Sequence, residues 1–538
     1  MLRPHKSLLL VVSLLVTLSI VVGACAAPPT PTPAPTLAPT KAPATQAPAP
    51  TPTTVAKPKP TGKLVAVRQE EPPTLDWKMG SEPQAFCTYA IIEALTRNDF
   101  KTGGLEPVLA ESWTWDKANT WTFKLRKGVK FHNGEPFNAD AVIYTVLRDA
   151  DPSSQLTQHL QNMESVKAID DYTVEFKTKA PDPIFDNRLQ QIKIGPPKFS
   201  KENENLLATT SIGTGPYKFV EWQKGQFFKM TANEEYWGPM PKIKDITILF
   251  RAEPSVRAAM VRTGEADLAW IITPDDVPNM PKTVQYENLT SLIVRIDTTG
   301  QNPALADVRV RQAMLYAVDT KTAMETMFKN VAVQAKGNQI VVPGVRGYDP
   351  NMKPWPYDPD KAKKLLAEAK AAGVPIETPM TMIERGIGWF PRDNEFAEYL
   401  VNSWKKVGLN VKLTVLDSAT WMNVHFAIKP EEKHADLSYC LHDNMLMDYS
   451  RSADLYLLSY GRASLWKDPK TDEMLKAAAQ LPGEERIKAY QEVSKYLEDK
   501  VPVFVFGSMI ETHAINAKLQ WTPRPDRVAN FWEMSYSN

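Results

Sequence analysis

FAEYLVNSWKKVGLNVKLTV, residues 396–415, changes its hydrophobic period halfway along. Phe396, Leu400, Trp404 and Val407 recur at helical spacing, and Gly408 ends the run. Leu409, Val411, Leu413 and Val415 then alternate with polar residues, the period of a half-buried strand. A helix followed at once by a strand is the unit of an α/β sheet and excludes an all-helical solenoid.

Both periods recur along the chain. Trp121, Phe123 and Leu125 alternate within LEPVLAESWTWDKANTWTFKLRKGVKFHNGEPFNADAV, residues 105–142, with Gly128 and Gly134 as punctuation; Tyr172, Val174 and Phe176 repeat the pattern. Leu64-Val65-Ala66-Val67 reads as a short buried strand redirected by Glu71-Pro72-Pro73-Thr74. Helical stripes are expected at Val256, Ala259, Met260 and Thr263 before Gly264, and at Val310, Ala313, Met314, Ala317 and Val318 behind Asp307 as cap. A third, Ala362, Leu365, Leu366 and Ala369, lies between Asp358-Pro359 and Gly373. Gly213, Gly215 and Pro216 predict a tight connection into a strand at Tyr217–Val220, through turn dihedrals that glycine admits. That turn lacks the lysine of a phosphate loop, which argues against a nucleotide site. Tyr236-Trp237-Gly238, like Trp113, Trp115 and Trp121, reads as aromatic packing.

At 538 residues the chain exceeds one ordinary domain, and no fixed-period repeat divides it. Three cysteines and seven histidines exclude a disulfide scaffold and a zinc-finger array, and a net charge of +1 argues against a general polyanion binder; nucleic acid is not an expected partner. Arg3 and Lys6 precede an apolar run from Leu8 to Val22, shorter than the roughly 20 residues of a membrane span. Val22-Gly23-Ala24-Cys25 resembles a bacterial lipobox, which implies cleavage before Cys25, lipidation of its thiol and retention of the body on the outer face of a membrane. Residues 26–62, rich in Pro, Thr and Ala and without an acidic residue, read as a solvated tether with polyproline II character. Cys87 and Cys440 then remain, either as a disulfide or as two buried thiols.

Over the body the ordered motifs resemble the family 5 extracellular solute-binding proteins of ABC transporters, the peptide/nickel-binding type. They are the 105–142 string above, GTGPYKFVEWQKGQ (213–226), YWGPMPKIKDITI (236–248), RAAMVRTGEADLAW (257–270), DVRVRQAMLYAVD (307–319), YDPDKAKKLLAEA (357–369) and DEMLKAAAQLPGEERIKAYQEVSKYLEDKVPVFVF (472–506). The resemblance implies an α/β fold of the periplasmic-binding-protein-like kind, two-lobed and of the large three-domain type. Residues 63–93, 212–299 and 502–538 would form domain I, 94–211 domain II and 300–501 domain III, behind a leader of 1–24 and a lipidated tether of 25–62. It also implies a monomer without cofactor that captures an organic solute, a peptide or an oligosaccharide, and delivers it to a permease driven by cytoplasmic ATPases.

The resemblance carries an amine-binding aspartate onto Asp443, with Tyr439, His442 and Asn444 around it. A carboxylate there would neutralise a peptide ammonium. The stretch departs from the family pattern, with Tyr439 or Cys440 near its usual tryptophan and His442 in place of glycine. Trp389 and Phe390 near Arg385 and Arg392 would offer apolar area and a carboxylate partner, and Trp421 and Tyr89 are further candidates. His434, Cys440, His442, Asp443 and Met445 have donor types that suit a transition metal, but at no recognised spacing, so no metal is assigned. His425 and His513 read as structural. A metal-chelate receptor remains an alternative ligand class. A secreted hydrolase is the different-class alternative; no nucleophile elbow, HExxH or triad spacing supports it, and an enzyme is not expected.

Overall fold

Two strands, Lys282–Ile296 and Val503–Ile515, pair antiparallel along both of their halves at the middle of an eleven-stranded sheet. The sheet runs in the order 411–416, 380–385, 437–443, 282–296, 503–515, 268–269, 61–68, 243–250, 227–232, 217–223, with 332–334 paired to the side of 503–515. Register slips between Glu287 and Ser291. Before the slip, the far end of Val503–Ile515 leads through Leu268–Ala269 to Thr61–Arg68; beyond it, Thr290–Ile296 pairs with Leu437–Asp443. One sheet thus changes neighbours partway along its central strands, and the irregularity marks the change.

The computed structural model describes residues 59–329, 331–427 and 434–537, within the unit Lys57–Asn538. The leader, Cys25 and most of the Pro/Thr/Ala-rich stretch lie outside the described residues. Among those described, no helix is long and apolar enough to cross a membrane.

The period change at 396–415 is realised as a strand–helix–strand unit. Met380–Arg385 and Val411–Leu416 lie parallel in the sheet, joined by the helix Asp393–Lys406. Parallel neighbours need such a crossover, and the stripe of Phe396, Leu400 and Trp404 buries it against Met380 and Met382. The strand Val411–Leu416 lies at the sheet edge, so its alternation is only partly used: Val411 is buried, Leu413 half-buried, and Val415 is 54% exposed. A separate four-stranded antiparallel sheet, in the order 110–115, 120–125, 173–178, 163–170, buries Trp121, Phe123, Leu125, Val174 and Phe176 in its own core.

Two expectations need correction. The helix Pro254–Thr263 ends at Gly264 as predicted, but it turns inward Arg257, Ala258, Met260 and Val261 and leaves Val256 43% exposed. Arg257 sets that rotation: its guanidinium donates to the carbonyls of Trp270 at 3.0 Å and Ile271 at 2.7 Å, clipping the loop after Leu268–Ala269. Gly213 and Gly215 have no left-handed dihedral. They are required by close approach, because a Cβ on Gly213 would sit 2.1 Å from the Ile91 carbonyl oxygen and one on Gly215 2.6 Å from that of Ala90.

Candidate functional site

Three strands of the eleven-stranded sheet end on a charged residue: Thr61–Arg68 on Arg68, Met380–Arg385 on Arg385 and Leu437–Asp443 on Asp443. Only the first has an apolar interior, Leu64 to Val67; the second carries Thr381 and the buried Glu384, and the third Ser438 and His442. The carboxyl ends of strands in open α/β sheets are where ligands collect.

Arg68 is 1% exposed and donates from Nη2 to Glu82 Oε2 at 2.8 Å, while its Nε and Nη1 find no acceptor. Its guanidinium lies 4.6 Å from the ring centre of Phe86. Arg385 reaches Glu70 at 3.3 Å and the Gly388 carbonyl at 2.7 Å, lies 3.8 Å from the ring centre of Trp389, and leaves Nε without an acceptor. Arg527 pairs with Glu511 at 2.6 Å, and Glu511 also accepts from the Tyr286 hydroxyl at 2.6 Å. Burial pushes the Glu82 carboxyl up, but Arg68, Arg527 and Arg385 together outweigh it and hold the group below the usual carboxylate range. A buried donor left without an acceptor costs about 1–3 kcal/mol, so Arg68 and Arg385 carry unused capacity for an anion.

Tyr89 follows the helix Glu82–Thr88, which Ser81 caps. Its ring lines a cavity of about 50 Å³ together with Glu93, Asn98, Lys193, Met445 and Asp526. Burial raises the Tyr89 hydroxyl, and the charges of Asp526, Asp443 and Glu82 add to the effect. The Lys193 ammonium stands 4.0 Å from the centre of the Tyr89 ring and donates to the Gln190 carbonyl; burial draws it down to about 7. Glu93 accepts from Thr214 at 2.8 Å, Tyr236 at 2.7 Å and Trp237 at 3.0 Å. The Tyr236-Trp237 pair is thus a clamp on a buried carboxylate as well as packing. Gly215 and Tyr217 donate to the Ile91 and Ala90 carbonyls at 2.9 Å, which fixes the backbone beside Tyr89.

Asp443, Asn444, His442, Tyr439, Trp389 and Trp421 are not among the residues lining that cavity. Asp443, half-buried, is held by Arg451 at 3.1 and 2.8 Å; burial pushes its carboxyl up and Arg451 overrides this, keeping it well below the usual range. Asn444 is fully buried, bonding Ser452 and Ser291, with its N–H on the Leu289 carbonyl. His442 bonds Ser452 at 2.8 Å, and burial lowers it to about 3, so it is neutral. Tyr439 sits in the core behind the strand end and donates to Asp393 at 2.6 Å. Trp389 and Trp421 meet edge to face at 5.4 Å, both with an indole N–H lacking an acceptor. His434 faces Asp297 at 3.2 Å, so its imidazole and that of His442 point to different partners; His425 and His513 are buried structural residues. Cys87 and Cys440 are free thiols in separate core clusters.

Arg68, Glu82, Arg451, Arg527 and Lys193 were absent from the sequence candidates. Arg68 had a signal, a charge closing the buried run KLVAVR. Arg451 had none.

The family model for bacterial extracellular solute-binding proteins, family 5 Middle, matches residues 104–461. The glutathione-binding protein GsiB of Escherichia coli (strain K12) is 32% identical over 328 residues, 58% of this chain, and the match spans 62% of that relative's length. The periplasmic binding protein DppA of Helicobacter pylori, solved with the peptide STSA, superposes with a TM-score of 0.78 at 21% identity, covering 89% of this chain and 98% of that one. AgaA of A. tumefaciens R10, solved with agropinic acid, gives 0.78 at 20% identity over 89% and 99%. The two structures show the fold, a large periplasmic-binding-protein-like α/β architecture. With the family model covering most of its length, the chain belongs to the bacterial extracellular solute-binding proteins, family 5.

Proposed function

We propose that the chain is a receptor that captures a small organic solute bearing a carboxylate, of the peptide class, and delivers it unchanged to an ABC permease with cytoplasmic ATPases. The observation that carries this reading is the pair of buried arginines, Arg68 and Arg385, at the ends of two strands with N–H groups lacking acceptors. A guanidinium presents paired donors that fit a carboxylate. The ligands named for the relatives, glutathione, the peptide STSA and agropinic acid, agree with that chemistry. Trp389 beside Arg385 and Tyr89 beside Lys193 would supply apolar walls.

The expected division into 63–93, 212–299 and 502–538 against 94–211 and 300–501 suits the sheet, whose register slip between Glu287 and Ser291 lies where closure would bend the central strands. Ion pairs cross between those segments, among them Arg385 with Glu70 at 3.3 Å, Arg188 with Asp454 at 2.8 Å and Arg148 with Asp76 at 2.7 Å, and those that bridge the two lobes would open with them. A monomer tethered through a lipid on Cys25 to the outer face of the membrane completes the reading. Small-angle scattering during titration with a peptide mixture tests it: contraction on binding, with the peptides recovered intact, is the expected result. Cleaved peptides would establish an enzyme instead.

A further inference from the structure

Asp443 stands where the family resemblance would seat a ligand ammonium, and its oxygens are already taken. Oδ1 accepts from Arg451 Nε at 3.1 Å and from the Met445 N–H at 3.3 Å, and Oδ2 accepts from Arg451 Nη2 at 2.8 Å. Arg451 lies eight residues further on, on the short helix Ser450–Ser452. Ser452 ties that helix back to the Asp443 strand through Asn444 at 3.0 Å and His442 at 2.8 Å. The pairing is therefore built by the protein and needs no ligand to hold it.

Other carboxylates near the strand ends repeat this pattern. Glu70, Glu82 and Glu511 each face an arginine, so with Asp443 four carboxylates are already compensated. What remains open is mostly of the opposite kind. Among the described residues, Arg68 Nε and Nη1, Arg385 Nε and Trp389 Nε1 are buried donors without acceptors, against the acceptors Glu82 Oε1 and Asn98 Oδ1. An acid admitted when the lobes part would find these buried donors unpaired. An arriving ammonium must displace a two-point guanidinium–carboxylate pair, the stronger kind of charge-assisted contact.

We propose that the site selects a carboxylate whose amine is acylated or absent, an N-acyl amino acid or N-blocked peptide, and that Arg451 is the specificity residue that turns a free α-ammonium away from Asp443. The inference rests on the reading of this cleft as a solute site. By filling the charge of Asp443 from within, Arg451 converts an amine-binding position into a neutral wall.

The test has two arms, both on the full mature chain. In the first, Ala-Leu, Ala-Glu and Ala-Phe are titrated calorimetrically beside their N-acetyl forms, into the parent protein and into Arg451→Gln. The N-acetyl member of each bound pair is expected to win in the parent by tenfold or more, with the preference shifting at least tenfold toward the free amine in Arg451→Gln. A tighter free-amine member in the parent, or a preference that Arg451→Gln leaves unmoved, overturns the proposal. The second arm needs no ligand: a thermal double-mutant cycle of Asp443→Asn and Arg451→Gln, in which the two Tm losses are expected to be strongly non-additive. Additive losses overturn the proposal whatever the solute is. A coupled cycle with none of the peptides bound would sink the peptide-class reading while leaving the closed pair standing.

Discussion

A Cβ on Gly213 would lie 2.1 Å from the carbonyl oxygen of Ile91, a backbone atom two residues past Tyr89 that already accepts from the Gly215 N–H at 2.9 Å. The three nearest atoms all belong to the backbone of Ile91 and Ile92, so no side-chain end can give way. Gly213→Ala is therefore expected to cost about 3 kcal/mol, the scale of forced overpacking, and to weaken solute binding by displacing Tyr89. Gly225, at φ 71° and with nothing within 4 Å of the place a Cβ would take, is the control and should lose only about 1 kcal/mol as alanine. Denaturant unfolding of the two variants checks the contrast; equal losses would mean that the approach to Ile91 is unimportant.

Arg486 grips Asp448 through two hydrogen bonds of 2.9 and 2.7 Å, and neither side chain exceeds 2% exposure. Removing one partner strands the other charge in the interior, so Asp448→Ala is expected to cost about 3–5 kcal/mol. Replacing both residues with apolar ones should cost less than the single change. A loss under about 1 kcal/mol from Asp448→Ala would contradict the buried pair.

Stability should also fall toward alkaline pH, through two other carboxyls. Glu384 is fully buried with neither oxygen partnered, and burial, with Asp393, Glu398 and Glu395 adding, pushes it up to about 8. Burial likewise raises Asp393 to about 7 despite bonds from Tyr439 and the Trp389 N–H. In the unfolded chain both titrate near pH 4, so between roughly pH 4 and 8 the folded form holds more protons and loses stability as pH rises. Asp443 and Asp448 act in the opposite sense: their folded values are depressed, so their contribution is present above about pH 4 and lost as pH falls below it. Glu384→Gln is expected to gain at least about 2 kcal/mol at pH 8 and nothing at pH 4. An equal gain at both pH values would contradict the proton account.

Elements whose own residues determine their environment were legible in the sequence. The Phe396, Leu400, Trp404 stripe and the following strand needed only periodicity, and Asp307 and Asp358 cap their helices through hydrogen bonds to nearby N–H groups. Where one long side chain reached a distant backbone the reading failed: Arg257 rotated its helix by bonding Trp270 and Ile271. The candidate site was half legible. Arg385, Trp389 and Tyr89 stood out by type, whereas the Arg451–Asp443 pair depends on a tertiary turn that no local pattern encodes. Tyr439 shows the limit of strand reading. Its neighbours share the strand, but its own face of the sheet is the core.

The lipobox-like Val22-Gly23-Ala24-Cys25 predicts a mature chain that starts at Cys25 and carries acyl chains. Two such chains hold a protein to a bilayer without help from ionic contacts, so extraction should require detergent and be insensitive to salt. Mass analysis of the amino terminus from the native host checks this. A free terminus upstream of Cys25 would contradict it.

The account turns on Arg68 and Arg385 as the groups that hold an organic acid. Native mass spectrometry of the gently purified protein, beside Arg385→Ala shown to be folded, tests this most directly. The account predicts a retained solute that carries a carboxylic acid, leaves chemically unchanged on mild unfolding, and is lost or weakened about a hundredfold in Arg385→Ala, the scale of a buried charged contact. A retained solute without an acid group, or one held equally by both proteins, would contradict it.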